Sequence, residues 1–290
     1  MTGREDALTF PSPFGERLRA AASWDGVFCL LALDHREAMR NAFARAGINE
    51  VSSATMLDVK GHIADALAGR ASGMLLDPAA VERCRLKDVG VLMPLEAQGY
   101  EPFAGGRLSR LEFGVAEVAA LGADGCKLLI YYRSDHEETA WRQRELVHQV
   151  VADCHAYGLP LVLEPLVYPL DGETAYPPGL VVSAAQDLAG LGADLLKLPF
   201  PGSKEDCERL TSLGEWVLLG GGDTARDTFM EQLEIAIGAG ACGFIAGRPI
   251  WAGVLGLDEG EQRQWLADEA VPYFDRLRAC LIWILSDLVS

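Results

Sequence analysis

Eight short apolar runs, many of them β-branched, alternate with longer segments of helical period along almost the whole 290-residue chain. The runs cover 27–33, 73–76, 90–93, 126–132, 160–165, 195–198, 216–219 and 243–246. Each is short enough to be a buried strand, and the segments between them are long enough to be helices. Strands separated by helices pair in parallel through right-handed crossovers. Eight such units close into an α/β (β/α)8 barrel, the TIM barrel, more naturally than into an open doubly wound sheet, which is the alternative. No Pro/Gly/Ser linker divides the chain, so one domain is expected over 1–290, with an N-terminal extension at 1–23 and a helical segment at 259–290 packing on the barrel. The longest helical segment, "SDHEETAWRQRELVHQVVADCHAYG", has Ser134 and Glu137 in capping-box spacing and ends at Gly158.

A formal charge of −17 repels phosphate backbones and anionic headgroups, and there is no basic run to offset it, so neither nucleic acid nor a membrane surface is an expected partner. The seven cysteines are scattered without a C-x-x-C pair, which points away from a disulfide framework or structural zinc and towards a reducing cytosol. The first residues carry acids and prolines where a signal peptide needs a basic start and an apolar stretch, so a cytoplasmic location is expected. The apolar "LRACLIWILSDLV" near the end is expected to pack on the barrel, and it leaves a contact between copies open; a homo-oligomer is the expectation.

An internal echo places chemistry on this frame. "LGADGCKL" at 121–128 and "LGADLLKL" at 191–198 share a helix end, a turn and a strand lysine. Lys127 and Lys197 therefore take equivalent places on the fourth and sixth strands, and Glu164 stands near the end of the fifth, between them. Barrel active sites lie at the strands' C-terminal ends, where side chains from alternate strands share a layer. A lysine in a desolvated pocket beside a second cation is pushed towards its neutral amine, which can attack a carbonyl. The resulting Schiff base serves as an electron sink for making or breaking a carbon–carbon bond, with a carboxylate moving the protons. The plainer alternative is that these lysines are strand-end cations paired to carboxylates.

The seventh and eighth strands end in "LLGGGD" and "IAGRPIW". Glycines there leave backbone N–H groups accessible where barrels often hold phosphate, and Arg248 adds a forked cation. A tight turn is the other use of such glycines. Asp34, His35 and Arg36 follow the first strand, and position favours a site role for them, although Asp34 could cap the next helix and His35 could be solvated. Lys60, and Arg133 with Ser134 after the fourth strand, are further candidates whose default is surface exposure. The match Gly238-Ala-Gly240-Ala-Cys-Gly243 to G-x-G-x-x-G runs from helix to strand, the reverse of a dinucleotide-binding turn, and is set aside. The five histidines form no zinc-binding spacing, so neither metal nor another cofactor is expected.

With these residues in view, "LALDHREAMRNAFARAG", "LDVK", "GCKLLIYYRSD", "LEPLV", "GADLLKLP" and "GFIAGRPIW" together resemble class I aldolases of the group that includes tagatose-bisphosphate and sulfofructose-phosphate aldolases, over about residues 26–257. The sulfosugar branch is most similar in "REAMR" and "RSD". The resemblance implies metal-independent cleavage of a ketose phosphate, a sulfosugar phosphate or a tagatose or fructose bisphosphate, to dihydroxyacetone phosphate and an aldehyde. It implies Lys197 as the Schiff-base lysine, with Glu164 and Lys127 assisting and Asp34 orienting hydroxyls. Gly221, Gly222, Gly247 and Arg248 would hold the phosphate, and His35, Arg36 and Lys60 would face the far end of the sugar. The chain departs from the group's pattern at His35, where glutamine is usual, at Pro199, where a glutamate follows the lysine, and at Gly220 and Gly221, where serine is common. The lost carboxylate motivates a second reading, a non-catalytic sugar-phosphate sensor; the intact Lys127, Glu164 and Lys197 set favours the enzyme.

Overall fold

A computed structural model of the protein describes residues 13–289 except positions 25, 85, 87, 88 and 223, with side chains described as far as residue 284. The strands are β1 (Phe28–Ala32), β2 (Gly73–Leu75), β3 (Gly90–Pro94), β4 (Glu101–Phe103), β5 (Gly106–Leu108), β6 (Gly125–Tyr131), β7 (Leu161–Leu166), β8 (Leu195–Leu198), β9 (Trp216–Gly220) and β10 (Gly243–Ala246). The helices are α1 (Pro13–Ala22), α2 (Glu37–Arg45), α3 (Ser53–Leu67), α4 (Pro78–Cys84), α5 (Val115–Ala120), α6 (Glu137–Ala156), α7 (Leu180–Leu188), α8 (Lys204–Leu213), α9 (Arg226–Gly238), α10 (Arg248–Trp251), α11 (Glu259–Trp265) and α12 (Val271–Val289).

Eight parallel strands close in the order β1-β2-β3-β6-β7-β8-β9-β10, with β10 pairing back to β1. They coincide with the eight expected runs to within a residue or so at most ends. Each is buried on both faces, which is why it reads as a near-continuous apolar run rather than an alternating one. Outward side chains pack with the helices, and inward ones, among them Leu30, Leu75, Leu92, Val162, Leu195 and Ile245, fill the lower barrel.

Three features differ from the sequence reading. The hairpin β4–β5 follows β3; its three-residue strands are too short to show a period, and only the Ala104-Gly105 pair, both at positive φ, marks the turn. The longest helix starts at Glu137 behind His136, so Ser134 does not cap it. Residues 1–12 of the expected extension lie outside the described residues, and α1 is a plug: Leu18 and Ala22 enter the lower barrel core. At the other end, Asp258 and Glu261 form a capping box that starts α11, and α12 packs on the barrel wall, where Phe274 meets Phe244 edge-on at 5.6 Å. Ile282 and Trp283 remain 56% and 66% exposed on α12.

The plug fits because Gly90 has no side chain: a Cβ there would lie 2.1 Å from the Ala21 carbonyl oxygen. Gly90→Ala is therefore expected to force α1 off the barrel floor and to lower the unfolding free energy by about 2–3 kcal/mol. Gly69→Ala, which meets nothing within 4 Å, is expected to stay within about 0.5 kcal/mol of the parent in the same urea titration. Equal midpoints for the two variants would contradict the plug.

Candidate active site

The site is set by the tilt of the strands. Hydrogen-bond register aligns Lys127 with Val162, and Val162 with Leu195. Followed once round the barrel, however, the register returns to the line of β1 eight residues lower. Equal heights on neighbouring strands thus differ by one residue, and Lys197 on β8 stands level with Lys127 on β6, two strands away. One strand between them carries Glu164, two residues above Val162 on the same inward face of β7.

The ammonium of Lys127 is the centre of this arrangement. It donates to Glu96 Oε1 at 2.6 Å and to Asp34 Oδ2 at 3.2 Å, and it lies at ion-pair distance, 3.1 Å, from Glu164 Oε2. Lys197 Nζ donates to the same Glu164 Oε2 at 2.9 Å. The two cations do not face each other bare, as the sequence reading has it; a shared carboxylate oxygen separates them. Both lysines are only 3% exposed, yet both line a cavity of about 530 Å³ at the C-terminal mouth of the barrel.

Burial opposes charge on every group here, and neighbours decide the outcome. For Lys127, burial favours the neutral amine, but Asp34, Glu164 and Glu96 outweigh it and hold the ammonium well above the usual lysine range. Burial likewise pushes the Asp34 and Glu164 carboxyls up, and the lysine charges pull both below their ordinary values. Glu96 goes the other way: burial prevails over Lys127, Asp34 adds to it, and its carboxyl is raised. It is thus the carboxyl of the set that most readily carries a proton. Sequence reasoning passed over Glu96. The alternation Leu92, Pro94, Glu96 continues the inward face of β3, and that parity was the available signal.

Among the other expected site residues, His35, Gly221, Gly222 and Arg248 also line the cavity. Gly220 does too, and a Cβ there would fall 2.4 Å from Ala246 Cβ and 2.7 Å from Phe229, so the serine common in similar chains has no space. At Gly221 the nearest atom to a Cβ is 3.4 Å away, and glycine is not sterically required. Gly247 lies outside the lining; a Cβ there would fall 2.8 Å from the Ala32 oxygen and 2.8 Å from His35, so the turn into α10 requires glycine.

Three expected cations are engaged elsewhere. Arg36 pairs with Glu112 and donates to the Glu96 carbonyl at 2.8 Å. Lys60 is buried in a pair with Asp77 between α3 and the end of β2. Arg133 is held by Asp135 at 2.8 Å, Glu173 at 2.6 Å and the Tyr168 carbonyl at 2.8 Å. None of the three belongs to the cavity lining. Their ion pairs consume the charge that the sequence suggested was free. Among the described residues no group of three His, Cys, Asp or Glu is arranged to hold a metal ion.

A family model for DeoC/LacD aldolases matches residues 28–253. The chain belongs to the DeoC/LacD family of aldolases. It is 28% identical to the tagatose 1,6-diphosphate aldolase 1 of Streptococcus pyogenes serotype M1, over 89% of this chain and 92% of that one. It is also 28% identical to the tagatose 1,6-diphosphate aldolase of Staphylococcus aureus strain JH9, over 89% and 91%. Among solved structures, an archaeal fructose 1,6-bisphosphate aldolase superposes with a TM-score of 0.69 at 20% identity, covering 92% of this chain and 98% of that one. Another, with its catalytic lysine bound to the carbinolamine intermediate, gives 0.70 at 21% identity, covering 92% and 99%. At those identities the structures share the fold.

His35 supplies a pH test. Burial, reinforced by Arg248 and the two lysines and opposed by Asp34, drives its imidazole down to about 4. The folded state therefore takes up this proton later than the unfolded chain, and stability falls as pH drops from about 6.5 towards 4. Between pH 7 and 4.5 the parent is expected to lose about 2–3 kcal/mol relative to His35→Gln in urea unfolding. Parallel pH curves for the two proteins would contradict a neutral buried His35.

Proposed function

We propose that the protein is a class I aldolase that cleaves a ketose phosphate, within the range of tagatose or fructose bisphosphates and sulfosugar phosphates, to dihydroxyacetone phosphate and an aldehyde. The observation that carries this reading is the division of labour between the two lysines. Lys127 is ion-paired to three carboxylates and hydrogen-bonded to two of them, Glu96 and Asp34, whereas the hydrogen bond of Lys197 runs to Glu164 alone, a group able to take its proton. Lys197 is the nucleophile.

In the cleavage direction Lys197 Nζ passes a proton to Glu164 and attacks the C2 carbonyl. Two protons reach the C2 oxygen, one returned by Glu164 and one from the attacking nitrogen; the oxygen leaves as water and the protonated Schiff base, with one proton left on nitrogen, forms. Glu164 then takes the proton of the C4 hydroxyl as the C3–C4 bond breaks. The bonding pair flows into the iminium to give an enamine, and the aldehyde departs. Protonation of the enamine carbon by Glu164 and hydrolysis release dihydroxyacetone phosphate and restore the amine. Lys127 keeps a fixed positive charge beside these proton transfers, and Asp34, held by Lys127, orients the substrate hydroxyls. Arg248 with the Gly221 and Gly222 backbone forms the phosphate end.

Pro199 leaves no carboxylate just after the nucleophile, and Glu96 stands in the same cavity as an additional proton carrier. The site asks for no cofactor. All seven cysteines are free thiols, in keeping with a reducing cytosolic setting, and exposed Ile282 and Trp283 on α12 support self-association.

Borohydride reduction in the presence of dihydroxyacetone phosphate, followed by peptide mass spectrometry, is expected to leave the reduced adduct on Lys197. Lys197→Arg should abolish both adduct and turnover, and Glu164→Gln should lower kcat by about 10²–10⁴-fold. EDTA should leave the parent's rate unchanged. An adduct on Lys127, or turnover that EDTA removes and metal restores, would overturn the assignment.

A further inference from the structure

The proposed phosphate end of the cavity, at Arg248, follows β10. Four strands further round the ring of eight, past β1, β2 and β3, is β6. The opposite side of the mouth is therefore formed by Leu129 and Tyr131 of β6 and by Gln98, Gly99 and Tyr100, the segment that leads into the β4–β5 hairpin. The cations expected at the sugar's far end, Arg36 and Lys60, are bound to Glu112 and Asp77. A different arginine stands on this side. Arg107 on β5 lies among three tyrosines, its guanidinium carbon 4.5 Å from the Tyr100 ring, 4.5 Å from Tyr168 and 5.9 Å from Tyr131. Tyr100 and Tyr131 line the cavity, and Arg107 lies beside these two rings rather than in the lining itself. Among the described residues no carboxylate lies within ion-pair distance of Arg107.

The hairpin that carries it is fixed. Ala104 sits at φ 49°, a left-handed conformation that costs about 1 kcal/mol outside glycine, and its carbonyl lies 3.0 Å from His136 Nε2. A Cβ on Gly106 would fall 2.9 Å from Thr139 Cγ2 and 3.0 Å from the Tyr168 hydroxyl, so β5 is pressed against α6. The Arg107 backbone N–H donates to that hydroxyl at 2.8 Å, and Arg142 covers Phe103 at 4.3 Å. Aromatic faces hold a guanidinium by its plane and leave its edge donors for a forked contact with an oxyanion. In a chain with a formal charge of −17 and a cavity lined by Asp34, Glu96 and Glu164, an anionic substituent needs such a local cation.

We infer that Arg107, held in its tyrosine cage, binds a tetrahedral oxyanion, phosphate or sulfonate, at the end of the substrate remote from Arg248. This makes Arg107 a specificity-determining residue for doubly anionic substrates. The inference rests on the aldolase reading for the orientation of the sugar, and its test does not depend on turnover.

The test is equilibrium binding of carbonyl-free analogues by titration calorimetry: hexitol 1-phosphate, hexitol 1,6-bisphosphate and 6-deoxy-6-sulfohexitol 1-phosphate. The parent is expected to bind at least one of the two-ended probes about 10- to 100-fold more tightly than the monophosphate, and the probe that gains identifies the oxyanion. Arg107→Met, which keeps an apolar stem between the rings, should erase that gain while leaving monophosphate binding within about two-fold, and Arg107→Lys should retain part of it. A gain that survives Arg107→Met, a parent that does not discriminate, or an equal loss for all three probes would overturn the inference. Failure of the aldolase reading would show separately, as the absence of a Lys197 adduct.

Discussion

One ammonium group organises the mouth of this barrel. Lys127 draws in carboxylates from three other barrel strands: Asp34 beyond the end of β1, Glu96 beyond β3, and Glu164 on β7. Three buried carboxylates without it would be mutually repulsive and poorly solvated. A second lysine without Glu164 between would be equally isolated. The sharing of Glu164 Oε2 by both lysines is what lets two cations occupy adjacent places in a layer only 3% exposed. The same sharing makes their surroundings unequal, since one ammonium is ion-paired to three carboxylates and the other to Glu164.

The rest of the fold positions this cluster. The lower barrel is filled by aliphatic side chains and closed by α1, so polar inward groups are confined to the upper end, where water and substrate enter. The shear brings two residues that register alone would separate to equal height. At Gly220 and Gly247, at the ends of β9 and β10, neighbouring atoms leave no space for a Cβ. Gln98, Gly99 and Tyr100, leading into the hairpin between β3 and β6, line the opposite wall.

Much of this was legible before any coordinates. The eight apolar runs gave the barrel, because a strand buried on both faces is a continuous apolar run whose only competitor is a helix of similar length. The repeat around Lys127 and Lys197 marked two lysines that line one cavity, because equal distance from a helix end means equal height on equivalent strands. Charges standing after strands were harder to read. Arg36, Lys60 and Arg133 looked alike in sequence, and each found a carboxylate 17, 40 or 76 residues distant that no local pattern reveals. Glu96 and Arg107 were missed for the complementary reason: one continues an inward face past the end of its strand, and the other sits on a hairpin too short to show a period. Pro199, expected as a defect because a carboxylate is common there, lies outside the cavity lining, which already holds Asp34, Glu96 and Glu164.

The central role of Lys127 is tested most directly by the pH dependence of unfolding for Lys127→Met, a substitution that preserves the stem and removes the charge. At pH 7 a loss of about 3–5 kcal/mol is expected, because Asp34, Glu96 and Glu164 are left buried without their shared cation. Their carboxyls then rise above the unfolded values and take up protons in the folded state, so the loss relative to the parent should shrink steadily towards pH 4.5. A loss below about 1 kcal/mol that stays flat across that range would show that the carboxylates do not depend on Lys127.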